Sequence, residues 1–153
     1  MKVKFKKLSE NAVAPKIMRS GDAGADLTAT SVTETDMYIE YGTSLAVEIP
    51  PGFVGLIYPR SSLSNYDLIL SNHVGVIDSN FRGEIKFRFK KVDKKQVYKT
   101  SIGVITHDLS VIYKVGDRIG QLIITEIPAV EFEEAEELSD TNRGQNGYGS
   151  SGL

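Results

Sequence analysis

Cysteine is absent from the 153 residues, which excludes disulfides, thiol nucleophiles and the sulfur ligands of structural zinc sites together. Histidine is nearly absent, with His73 and His107 far apart in the chain. A Ser-His-Asp hydrolase or a histidine-ligated zinc hydrolase is a poor fit to that inventory, and both histidines are read as structural or surface residues. No run approaches the roughly 18 apolar residues of a membrane span, and the opening "MKVKFKKLSE" lacks the unbroken apolar stretch of a secretory leader. A cytoplasmic protein without membrane contact is expected. The formal net charge of -2 leaves no broad basic surface for nucleic acid, so basic residues are expected to act locally.

What the chain does contain is ordinary globular material, 41% hydrophobic and 25% charged, enough for one domain with a core. The dominant hydrophobic period is two. "KVKFK" alternates Val3 and Phe5 with lysines, "SLAVEIP" puts Leu45, Val47 and Ile49 on one face, and "EIKFRFK" sets Ile85, Phe87 and Phe89 against Lys86, Arg88 and Lys90. These read as half-buried strands. "RSGDAG" (19–24), "PPG" (50–52) and "VGD" (115–117) interrupt them as turns. Many short strands and few helical signals predict an all-β, two-sheet or closed antiparallel fold. "SSLSNYDL" after Pro59 predicts at most one short helix, capped by Ser61 or Ser62. "PAVEFEEAEEL" is ambiguous, helical in composition but alternating at Val130 and Phe132, and is read as a strand leading out of the body. The stretch from Lys90 to Tyr113 is read as an enlarged hairpin, and residues after Leu138 as a polar, glycine-rich arm, dividing the chain into a core (1–138) and an arm (139–153).

Chemistry-bearing residues cluster in five stretches. "DAGADL" is a turn running to Asp26, "YPRSSLSN" joins Arg60, Ser61 and Ser62 into an anion-binding pattern, and "NHVGVIDSNFRGEI" places Asp78 after an apolar run. "VGDRIGQLII" carries Arg118 and Gln121, and "RGQNGYGSSG" ends the chain with Arg143 and Tyr148 among glycines. Each has a bland reading as turn, cap, surface ion pair or disordered end.

In order, the five stretches resemble the five motifs of the trimeric dUTPase family from Ala23 to Gly152, with "GVIDSNFRG" and "RGQNGYGSSG" the most specific. The resemblance implies a jelly-roll-like homotrimer whose active sites lie where subunits meet. It implies cleavage of dUTP to dUMP and pyrophosphate, with magnesium on the triphosphate. It makes Asp78 the carboxylate that activates water, Gln121 a partner of substrate and water, and Asp26 an orienting carboxylate that meets the metal through water. Ser61 falls near the α,β-phosphate bridge, beside Arg60 and Ser62, and Arg118 is read as a brace. Asn72 and the backbone of Gly75, Val76 and Ile77 would read uracil. Phe81, where tyrosine is usual, would pack under deoxyribose. Fifteen residues from Ser139 at up to roughly 3.3 Å each span about 50 Å, enough to reach a neighbouring subunit. There Arg143 would meet the γ-phosphate, Tyr148 would stack on the base, and Gly149, Ser150 and Ser151 would wrap phosphate oxygens.

Two rivals follow from the same resemblance. A dCTP deaminase of this fold carries a glutamate base where this chain has Arg88. A dUTP-sensing module would bind nucleotide, close its arm and present the closed form to a regulatory protein partner.

Overall fold

The computed structural model describes residues 1–92, 95–100, 103–108 and 110–147. Its body consists of two four-stranded sheets. The first runs in the order β2 (Ala25–Thr28), β12 (Arg118–Glu126), β6 (Phe53–Tyr58), β8 (Gly75–Ile77); the second β3 (Ser31–Glu34), β4 (Ile39–Gly42), β9 (Lys86–Lys91), β7 (Leu68–Leu70). A separate pair joins β1 (Lys4–Lys7) to β5 (Leu45–Glu48), and β10 (Lys95–Thr100) pairs with β11 (Gly103–Asp108) as the expected enlarged hairpin. Every pairing is antiparallel. Among the described residues a single 3-10 turn, Ser61–Asn65, is the one helical element. No helix among them is long and apolar enough to cross a membrane.

Alternation sorts the side chains as expected. Ile85, Phe87 and Phe89 are buried while Lys86, Arg88 and Lys90 are exposed, and Leu45, Val47 and Ile49 also turn inward. Leu27, Ile57, Ile119 and Leu122 of the first sheet join Ile39, Tyr41, Phe87 and Phe89 of the second in one apolar cluster. Burying each of the two phenylalanines contributes about 1.5–3 kcal/mol. The sheets approach so closely that a side chain on Gly120 would strike the Phe87 ring, which is why glycine sits within β12, beside its bulge.

Three expectations need correction. The turn after Pro59 is capped by neither Ser61 nor Ser62: Arg60 is its N-cap residue, with no side-chain cap bond, and Ser61 is already its first helical residue. The turn is held from its far end, where the Tyr66 ring lies 4.0 Å from that of buried Tyr113. β1 is a strand as predicted but is exposed along its length, Phe5 included at 45%. "PAVEFEEAEEL" is no strand: residues 127–138 pair with no described strand, and Val130, Phe132 and Leu138 are 64%, 95% and 88% exposed. Its alternation specifies an apolar face, but among the described residues no strand edge pairs with it and its apolar side chains stay exposed.

Candidate active site

Asp26 projects from β2 into an open cleft of about 580 Å³ lined by Arg19, Asp22, Gly24, Arg60, Ser61, Arg118 and Gln121, among others. Register accounts for the grouping. Gln121 lies directly opposite Asp26 across β12 and β2, so the two side chains share a face. Arg118, three residues from Gln121, belongs on the opposite face of a regular strand. A bulge between Arg118 and Gly120 removes that conflict: Ile119 and Gly120 both turn inward, and Arg118 returns to the cleft face.

There the two arginines hold Asp26 from both sides. Arg60 Nε donates to Oδ1 at 2.9 Å and Arg118 Nη1 to Oδ2 at 2.9 Å, with the carboxylate side chain only 11% exposed. Arg60 also donates from Nη1 to Ser62 Oγ at 3.2 Å. The brace expected of Arg118 is therefore an ion pair to Asp26, and Arg60 supports its loop by the same carboxylate. Ser61 is exposed on the cleft wall. Gln121 Nε2 donates to the Pro59 carbonyl at 3.3 Å, and its side chain crosses Gly24 so tightly that a Cβ there would sit 2.5 Å from Gln121 Oε1. Gly24 and Arg19 are thus members of the site that motif reading had assigned only to turns.

A second cleft, about 430 Å³, gathers Glu40, Asn72, Ile77, Phe81, Glu84, Lys86 and Arg88 with their neighbours. Gly75, Val76 and Ile77 form β8, an edge strand paired to β6 on one side. Its outer row of backbone donors and acceptors has no strand partner among the described residues, the arrangement needed to read a planar base. Glu40 accepts from Lys86 Nζ and Arg88 Nε, both at 2.8 Å, and Arg88 lies 4.4 Å from the Tyr38 ring centroid. The Lys86 and Arg88 bonds hold the Glu40 carboxyl below its ordinary range, and Glu40 raises both cations in return.

Asp78 follows β8 and is exposed; among the described residues its carboxylate accepts no hydrogen bond, while its backbone oxygen receives the Phe81 N–H at 3.1 Å. Gln121 pairs with Tyr58, and Ile77 with Gly55. Continuing the second register sets Asp78 beside Val54, four residues along β6 from Tyr58. That is about 13 Å along the strands and, two strand spacings away, about 10 Å across them. One chain therefore does not bring Asp78 to Gln121 and Ser61. Arg143 is exposed, its Nε donating to the Asn146 carbonyl at 3.0 Å, and it lines neither cleft. Tyr148, Gly149, Ser150 and Ser151 lie outside the described residues.

Three arginines around a pinned carboxylate, with an exposed serine and an amide, are the equipment of a site for a phosphate-bearing anion. Comparison with known proteins agrees. A sequence model of the dUTPase family matches residues 10–152. The deoxyuridine 5'-triphosphate nucleotidohydrolase of Corynebacterium glutamicum is 40% identical over 157 residues, covering 98% of this chain and 94% of that one. The dUTPase of Staphylococcus bacteriophage 80alpha, solved with dUpNHpp, aligns with a TM-score of 0.83 at 31% identity over 99% of both chains. A mutant dUTPase from phage phi11 of S. aureus, described for its coordination of a structural Mg(II) ion, aligns at 0.69 and 28% identity over 90% of this chain and 98% of that one. The chain belongs to the dUTPase family.

Proposed function

We propose that this chain hydrolyses dUTP to dUMP and pyrophosphate at sites shared between the subunits of a homotrimer. The observation that carries the composite site is the separation just described: Asp26, Ser61 and Gln121 occupy one cleft, while Asp78 follows the edge strand of another. A second copy that docks its edge strand against the first cleft supplies the missing carboxylate. Exposed Val130, Phe132 and Leu138 offer apolar surface for such assembly, and every described residue from Thr125 to Gly147 is exposed and able to reach a neighbour.

In the assembled site the free carboxylate of Asp78 accepts a proton as a water oxygen attacks the α-phosphorus, and the bond to the pyrophosphate oxygen breaks. Gln121 hydrogen-bonds substrate and water, and Ser61 donates near the α,β bridge where charge develops. Asn72 and the open edge of Gly75 to Ile77 pair with uracil, and Phe81 packs under the sugar. The arm closes the site with Arg143 on the γ-phosphate, Tyr148 on the base, and Gly149, Ser150 and Ser151 around phosphate oxygens.

Magnesium fits this donor set in one way. Among the described residues no cluster of three acidic or histidine side chains could cage a metal, which suits an ion held by phosphate oxygens and water, with Asp26 contributing through water from its remaining lone pairs. When bound, it neutralises charge on the triphosphate. Arg88 speaks against deamination. It stands where that chemistry needs a base, and a guanidinium already bonded to Glu40 cannot accept a proton.

Subunit complementation tests the reading. Asp78→Asn and Gln121→Ala chains are each expected to be inactive alone, and to recover part of the pyrophosphate release from dUTP when co-expressed, because some sites then combine two intact chains. Inactive mixed assemblies would place both residues in one chain's site and end the composite reading. The same assay across dCTP, dTTP and UTP defines the substrate.

A further inference from the structure

Phe81 has no hydroxyl to anchor its ring, so contacts alone set where the ring lies. Two neighbours supply them. Arg82 Nη1 donates to the carbonyl oxygens of Ser79 and Phe81 at 2.7 and 2.8 Å, and the Phe81 N–H bonds back to Asp78, so the backbone from Asp78 to Phe81 is closed and clipped. The ring, 40% exposed, folds back over Gly83. A Cβ at Gly83 would stand 2.5 Å from the ring's Cζ and 2.9 Å from Cε2. Gly83 is not among the glycines with positive φ, so its backbone does not require glycine. What is used is the missing side chain.

From this geometry we infer that Gly83 is the seat of the Phe81 ring and, through it, a positioning residue for sugar selectivity. A methyl at Gly83 meets the far end of a side chain, while the clipped turn beneath resists movement. The ring therefore yields and the fold stays. A displaced ring no longer fills the space that a 2'-hydroxyl would occupy, so the variant admits ribonucleotide. The inference rests on the proposed reading of Phe81 as the sugar platform.

The test is kcat/KM for dUTP and UTP in wild type, Gly83→Ala, Phe81→Ala and the double variant. Gly83→Ala should lower the dUTP-to-UTP preference about tenfold, the order set by one misplaced apolar contact. The double variant should be no less selective than Phe81→Ala alone, because Gly83 acts through the ring. Unchanged preference in Gly83→Ala, or a further loss in the double variant, overturns the inference. Should Gly83→Ala fold poorly, removing the ring must restore its melting temperature; failure to do so means the backbone, not the ring, needs the glycine, and also overturns it. A wild type that hydrolyses dUTP but does not distinguish it from UTP refutes the sugar-platform reading instead.

Discussion

Asp26 and Asp78 are the same side chain in opposite circumstances. Asp26 is almost buried, with each oxygen bonded to a different arginine, while Asp78 stands exposed at the end of an edge strand with its carboxylate unbonded among the described residues. The contrast separates two tasks. A carboxylate whose two oxygens are each bonded to a different guanidinium is fixed in place and can orient its neighbours. One without internal partners can turn toward a water and accept its proton.

Substitution at each aspartate is the strongest way to break this contrast. Asp78→Asn should lower kcat by about three orders of magnitude or more, leave binding of a non-hydrolysable dUTP analogue close to wild type, and barely move the melting temperature. Near-normal turnover would remove Asp78 from the chemistry. Asp26→Ala should do the reverse in kind: two guanidiniums lose their partner, so unfolding free energy in a urea titration falls by about 1–3 kcal/mol, discounted because Arg118 is nearly half exposed. Activity falls with it, as Arg60 and Ser62 lose their register. An Asp26→Ala protein as stable as wild type would show that the arginine clamp is incidental.

A third carboxylate sharpens the comparison with a smaller effect. Glu40, in the cleft that holds Phe81, is kept ionised by its bonds to Lys86 and Arg88. A depressed carboxyl pKa stabilises the fold above the ordinary value of 4.5 and ceases to do so as pH falls through the lower folded value. Wild type should therefore exceed Glu40→Gln in urea midpoint at neutral pH, and the two should converge below pH 4.5. A constant gap down to strong acid would trace the effect to packing instead.

Much of the body was legible because a buried strand must alternate. Ile85, Phe87 and Phe89 turn inward as their spacing requires, and the glycines of 19–24, 50–52 and 115–117 do turn the chain, Gly21, Gly52 and Gly116 at positive φ. The same alternation misled at Val130 and Phe132. A period of two reports that a face wants burial, but among the described residues nothing covers Val130 and Phe132. Motif order pointed to Asp26, Gln121 and Asp78 as chemistry. It did not convey that Asp78 lies apart from the cleft that holds Asp26 and Gln121, since that follows from register across three strands. Nor did it expose Gly24, whose importance lies in the Gln121 side chain crossing it.

Composition and local pattern by themselves determined that this chain forms short amphipathic strands around one core, uses no thiol chemistry, and gathers its candidate chemistry in a few motifs. Those outcomes depend on neighbours a few residues apart, which any sequence states directly. Tertiary structure alone decided that a bulge returns Arg118 to the face of Gln121, that two arginines immobilise Asp26, and that Asp78 lies two strands across from Gln121, outside their cleft. Such facts depend on strand register and sheet order, where a shift of one residue reverses every side chain while leaving the local pattern unchanged.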